Sequence, residues 1–160
     1  MGDIIADGRV RTSFVLALAN KNLPTVAELN AGLLLQLTLT PDGLVSFRPS
    51  TAKVATGSLG SRFGTQRNGR VSFDDGMMLR LKKQDGTDTL YDTLTYGTTG
   101  FMVIRQSILQ EVAWASAQKI RVYPVECGAV AHVDVDENTL ERYEVPLAVY
   151  DQPNLRAQVA

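Results

Sequence analysis

Any chemistry in this chain would have to start from very few residues. His132 is the only histidine and Cys127 the only cysteine. Either can serve in nucleophilic or general-base catalysis when a partner stands within reach. They sit close together on what reads as one segment, and no serine or second nucleophile lies at a readable spacing. His132 therefore reads as a structural or surface residue, and Cys127 as a small, half-buried strand residue. Asp134-Val135-Asp136-Glu137-Asn138 opens like a calcium loop. Thr139 then stands where that loop needs glycine and Val145 where it needs glutamate, so an acidic turn is the better reading. Gly57-Ser58-Leu59-Gly60 has neither the spacing nor the lysine of a phosphate-cradling loop. A nucleophile elbow, a dinucleotide fingerprint and a zinc-protease helix motif are also missing from the sequence. Trp114 reads as a core or interface filler. The expectation is a protein with no catalytic residue, no metal and no cofactor, and not an enzyme.

Composition narrows what is left. The chain has 160 residues, 44% of them hydrophobic and 21% charged, with a net charge of −1. That is one domain able to bury a core of its own, not a disordered chain. Near-balanced charge argues against gripping nucleic acid by bulk positive potential. A lone cysteine cannot close an intramolecular disulfide, which excludes the disulfide-rich secreted class. No apolar run approaches the ~20 residues that span a bilayer, so membrane insertion is not expected. Met1 to Asp7 carries two aspartates and no basic stretch, so a secretory signal is not expected either.

The elements that must carry function are mostly strands. Val10, Phe14, Leu16 and Leu18 alternate with Arg9, Arg11 and Ser13, which predicts a strand with one buried and one wet face. Leu33, Leu35, Leu37 and Leu39 repeat that pattern against Gln36, Thr38 and Thr40, as do Met77, Leu79 and Leu81 against Arg80 and Lys82. Phe101 to Arg105 is a short apolar run of the kind buried on both faces. Ile120 to Val125 and Leu140 to Val149 have the Val, Tyr and Ile content that suits pleated surfaces. About seven strands are expected in all. Thr25-Val26-Ala27-Glu28 predicts a capping box opening a helix of about two turns, with Gly32 as its left-handed stop. A second helix is predicted from about Asp88 to Tyr96, with Leu90, Tyr91 and Leu94 on one stripe and Gly97 as its stop. The fold class is mainly β (α+β): a β-sandwich or barrel with one or two short flanking helices, which are too short to stand alone.

One stretch breaks the pattern. From Val45 to Arg70 the alternation fades into Ser, Thr, Gly and Pro, which predicts a long flexible loop at about 45–70 inside a single domain over 1–160, with short flexible termini. Between Asp42 and Asp74 there is no acidic residue, yet Arg48, Lys53, Arg62, Arg67 and Arg70 all fall there. Near the other end Glu126, Asp134, Asp136, Glu137, Glu141 and Glu144 face Arg142 alone. Two readings are open: solvated faces, or complementary patches on successive copies of one chain. In the second, the basic stretch with Leu59 and Phe63 as apolar anchors docks on Asp134, Asp136, Glu137, Glu141 and Glu144.

Motif order adds a family. Leu23-Pro24-Thr25-Val26-Ala27-Glu28-Leu29-Asn30-Ala31-Gly32 and the leucine-rich stretch after it resemble the opening of major tail (tail tube) proteins of long-tailed, non-contractile phages, especially those of actinobacteria. The similarity resumes at Leu94-Thr95-Tyr96-Gly97-Thr98-Thr99-Gly100-Phe101-Met102-Val103-Ile104-Arg105. It continues through Ala117-Gln118-Lys119-Ile120-Arg121-Val122-Tyr123-Pro124-Val125-Glu126-Cys127-Gly128 to a last strand near Val149, and is thinnest over 45–70.

This resemblance implies a structural virion protein of the tail, assembled in the host cytoplasm. Its copies would form homohexameric rings stacked into a hollow tube, the conduit for DNA ejection. Partners would be other copies of the chain, a tape-measure protein, and tail-terminator and tail-tip proteins, with DNA only in transit. Duplex DNA must slide without sticking, so a neutral or acidic lumen is expected. The competing expectations are the inner tube of a contractile injection machine and a small β-barrel that binds a ligand in its mouth.

Overall fold

A computed structural model describes residues 2–160. In chain order its elements are β1 (Val10–Val15), α1 (Val26–Asn30), β2 (Leu33–Leu34), β3 (Leu39–Val45), β4 (Pro49–Ala55), β5 (Gln66–Phe73) and β6 (Met78–Lys82). Then follow α2 (Thr89–Thr93), β7 (Thr99–Gln106), β8 (Lys119–Cys127), β9 (Ala131–His132), β10 (Arg142–Val149) and β11 (Asn154–Gln158). Seven strands make one antiparallel path, β2-β1-β7-β8-β10-β6-β3, which curls into a half-barrel. β11 is added beside β8 and β9 beside β10, while β4 and β5 pair only with each other.

The middle of the sheet is covered on both sides. One face of β1, β7 and β8 sends Phe14, Met102, Ile104, Tyr123 and Val125 into the larger core. There they meet Leu79 and Leu81 of β6, Tyr143 and Val145 of β10, and Leu90 and Leu94. The opposite face sends Val15, Val103, Ile120 and Val122 against Leu29 of α1, Trp114, Ala157 and Val159. This double burial explains the unbroken run in β7, where Met102 to Arg105 are all buried. Burying a side chain of this size is worth about 1.5–3 kcal/mol, so these two clusters are the main source of stability.

Both helices dock on this frame. Thr25 caps α1: Glu28 N donates to Thr25 Oγ1 at 3.3 Å, and Thr25 N donates to Glu28 Oε2 at 2.8 Å. The capping box is as the sequence predicts, but the helix has only five residues, short of the two expected turns. Nor is Gly32 a left-handed stop. The helix leaves through Ala31 at φ −74, and Gly32 is needed for a different reason. A Cβ there would lie 2.5 Å from Ser13 Oγ and 2.7 Å from Val15 Cγ2, so the chain passes too close to β1 for a side chain. α2 also ends early, because Leu94 at φ −83, ψ 67 turns inward to the core; Gly97 follows at φ +83.

Three strand expectations change in the structure. β1 stops at Val15 and Leu16 is 58% exposed, while Ser13, expected on the wet face, is fully buried under the second cluster. The leucine alternation of 33–39 is not one strand. After Leu34 the chain closes a turn on Leu35, with Thr38 N and Leu39 N donating to Leu35 O at 2.9 and 2.8 Å, and Leu37 is 71% exposed. Here a locally closed turn, pinned to neighbouring strands by Leu35 N to Thr12 O and Lys82 N to Thr38 O, both at 2.8 Å, overrides the alternation. Last, the stretch read as a loop is half paired strand. β4 and β5 form an antiparallel hairpin from Pro49↔Phe73 to Ala55↔Gln66, with a register shift between Thr51 and Lys53.

Candidate functional site

The hairpin of β4 and β5 projects as an arm. Every residue of β4 is exposed, and so are Arg48, Arg62, Arg67 and Arg70. Lys53 Nζ donates to Asn68 Oδ1 across the hairpin, and the two threonine hydroxyls of Thr56 and Thr65 meet at 2.8 Å before the tip. At the tip Leu59 is fully exposed and Phe63 is 76% exposed. Alternation fails as a signal here because neither face of the arm is buried, so nothing selects apolar residues at every second position.

The acidic candidates are not one uniform surface. Asp134, Asp136, Glu137 and Glu141 are exposed in the connection between β9 and β10, alongside Val135 and Leu140. Glu144 lies within β10, where Arg80 Nε approaches its Oε1 at 3.3 Å and Arg80 Nη1 donates to Asp42 Oδ2 at 2.7 Å. Glu144 is thus partly neutralised inside its own subunit. Among the described residues no ion pair joins the basic arm to the acidic stretch, so one chain does not bring the two together.

Cys127, His132 and the stretch Asp134 to Asn138 sit in different settings. Cys127 is buried, and burial followed by the nearby Glu126 charge pushes its thiol up to about 11, far from a thiolate at neutral pH. His132 is exposed and its Nε2 lies 3.2 Å from the Tyr91 hydroxyl. Asp134 to Asn138 carries a turn with Thr139 Oγ1 donating to Asp136 O at 2.8 Å. Among the described residues no cluster of His, Cys, Asp or Glu is arranged to hold a metal. Among the described residues no helix is long and apolar enough to cross a membrane.

What the sequence reading missed is a buried cation. Arg105 ends the apolar run of β7 fully buried, and among the described residues it makes no ion pair with a carboxylate. Its guanidinium donates to Leu109 O at 2.9 Å, Val112 O at 2.8 Å, Ala113 O at 3.2 Å and Gln118 Oε1 at 3.0 Å. Burial disfavours its charged form and Arg11 adds repulsion, which these carbonyl dipoles must offset. Trp114, 4% exposed, packs beside it as the expected filler. An arginine at the end of a run buried on both faces is the signal that marks such a residue.

Two concavities flank the arm and the last strand. One is an open cleft of about 1110 Å³ at the base of the arm, reaching from Val71 and Phe73 to Leu147 and Leu155. The other, about 490 Å³, lies between the end of β7 and β11 and shares Leu155 with the first.

The sequence matches the family model described as phage tail tube protein over residues 1–160. No curated protein sequence matches the chain. In fold, it is similar to a chain of the structure titled "Cryo-EM structure of the anti-feeding prophage (AFP) baseplate, 6-fold symmetrised". There the TM-score is 0.65 at 10% identity, with 96% of each chain covered. A curled antiparallel half-barrel, an exposed arm and a match over the entire length agree: this chain belongs to the phage tail tube protein family, structural proteins of the phage tail.

Proposed function

We propose that this chain assembles into rings of six that stack into a hollow tube, through which DNA passes into the host. The observation that carries this reading is the arm. A two-stranded hairpin is marginal alone in water. This one pairs with no other strand and leaves its outer edges and apolar tip in solvent. Unpaired edges of this kind are normally covered, and a neighbouring subunit is the natural cover. Sixfold rings are supported by the family and by the fold's likeness to a chain of a 6-fold symmetrised assembly.

The arm would dock on the acidic connection of the next copy, at Asp134, Asp136, Glu137 and Glu141, with Glu144 at its margin. Exposed ion pairs return only about 0–1 kcal/mol each, so Leu59 and Phe63 must be buried in the same contact. Charge then selects the partner surface and speeds the encounter. Such a subunit needs no catalytic group. Its other partners would be a tape-measure protein within the tube and terminator and tip proteins at its ends, all in the virion tail. Negative-stain microscopy of the concentrated protein tests this reading: sixfold rings or tubes with an open lumen are expected. A monomer that persists at high concentration overturns it.

A further inference from the structure

The cleft at the base of the arm and the tip of the arm have complementary chemistry. The cleft is lined by Val71, Phe73, Leu147 and Leu155 together with Asp74 and Asp75. Val71 is 58% and Leu155 39% exposed, so apolar surface there is open to solvent. At the tip, Arg62 stands between the exposed Leu59 and Phe63. Among the described residues neither aspartate nor Arg62 makes an ion pair. The tip is also held in shape. Thr56 N donates to Thr65 O at 2.9 Å, Ser61 N to Ser58 O at 3.1 Å and Phe63 N to Ser61 Oγ at 3.2 Å. A turn ordered in advance loses little freedom on docking. Its own cleft is out of reach, because β4 rises ~3.3 Å per residue and carries the tip about 20 Å from the base.

We propose that this cleft receives the arm tip of a second copy, with Leu59 and Phe63 against its apolar lining and Arg62 beside Asp74 and Asp75. The cleft, about 1110 Å³, exceeds the roughly 300–1,000 Å³ of pockets that enclose small ligands, so two large side chains fit. The contact rests on the reading of the arm as an assembly device and extends it. The basic stem lies on the acidic connection, and the tip ends in the cleft. Both can be met at once: at ~3.3 Å per residue, Glu141 and Leu147 are about 20 Å apart along β10, the span of the arm. The connection itself exposes Val135 and Leu140 but lines neither concavity, so it offers the tip charge without a pocket. The groove beside β11 is lined by Lys119, Arg121 and Arg156, which would repel Arg62. Each copy gives a tip and offers a cleft. Such a heterologous contact closes into rings or continues as a filament.

The test is disulfide trapping in the full chain. Ser58→Cys at the tip and Gln152→Cys at the cleft are made as separate variants, mixed under assembly conditions, oxidised and run on a non-reducing gel. Both positions are exposed, and the native Cys127 is buried and stays silent. A linked dimer is expected in the mixture and in neither variant alone, and the double variant should give a ladder. Adding Asp74→Lys and Asp75→Lys to the Gln152→Cys chain should weaken the dimer about tenfold, and Arg62→Glu in its partner should restore it. Asp75→Lys alone is the milder variant should the double reversal fold poorly, and should also thin the dimer band. A dimer indifferent to these reversals overturns the proposal, as does an internal disulfide in the double variant without a ladder. Trapping of Ser58→Cys by Glu137→Cys in place of Gln152→Cys puts the tip on the acidic connection and overturns it as well. Tubes seen by microscopy without a crosslink would sink this contact alone, whereas the absence of any assembly would sink the reading beneath it.

Discussion

Arg11 and Arg105 face each other across the antiparallel strands β1 and β7, and their guanidinium carbons lie 5.3 and 5.2 Å from the centre of the same Trp114 ring. Like charges directly opposite on a sheet repel. The arrangement survives because each cation is held by carbonyl oxygens of the same connection: Arg11 donates to Gln110 O at 2.8 Å, Arg105 to Leu109, Val112 and Ala113. The electron-rich face of the indole adds attraction for both. The connection between β7 and β8 is thereby tied to the sheet without a single carboxylate.

Arg105→Met should therefore cost about 3 kcal/mol, because several partly buried carbonyls lose their donor at once. Arg105→Lys should lose less but still about 1–2 kcal/mol, since an ammonium cannot reach four acceptors with the geometry of a planar fork. Urea midpoints at unchanged slope measure both. If methionine is tolerated without loss, the carbonyl cage contributes nothing.

Thr25→Ala should cost about 1 kcal/mol by removing the cap of α1. The Glu28 carboxyl is held below its ordinary value of 4.5, first by the Thr25 N–H and then by the Ala19 N–H. A depressed carboxyl contributes stability that is present above its unfolded value and disappears as pH falls through the folded one. Stability should decline in the window below pH 4.5, and Glu28→Gln should flatten that part of the profile. A Gln variant with the wild-type acid profile would remove Glu28 from this role.

Gly100→Ala should destabilise by about 1–3 kcal/mol through overpacking. A Cβ there would lie 2.5 Å from Phe14 Cζ and 2.9 Å from Val15 O, and Phe14 is fully buried with nowhere to move. Gly60 is the control: it sits on the exposed arm with nothing near its missing Cβ, so Gly60→Ala should leave the thermal midpoint in place. Equal midpoints for both variants would contradict the close packing of β1 on β7.

Reversing Arg62, Arg67 and Arg70 to Glu should block polymerisation while the far-ultraviolet dichroism of the monomer stays unchanged, because all three are exposed. Wild-type assembly should also weaken as salt rises, since exposed charges are screened beyond about 10 Å at 0.1 M. Sedimentation across a salt series reads both effects. Normal polymerisation of the triple variant would return the arm to a solvated feature.

Much of this molecule was legible from the chain. The capping box at Thr25 and Glu28, the alternation of Leu79 and Leu81 and the doubly buried run of β7 are local facts. Local patterning decides them wherever one neighbour dominates. The opposed charge clusters were also plain in the sequence, though not what they meet. Other features needed the tertiary structure. Gly32 looked like a helix stop, yet the close approach of β1 is what excludes a side chain there. Leu37 looked buried, yet a turn on Leu35 turns it outward. Arg105 looked like the polar end of a strand, yet carbonyls up to eight residues further on enclose it. In each case the deciding partner lies outside a single strand or helix: β1 passes against Gly32, Thr12 and Lys82 of other strands pin the turn at Leu35 and Thr38, and the connection after β7 folds back over Arg105. Alternation and capping depend only on a residue's own neighbours along the chain, so only the folded structure could decide these positions.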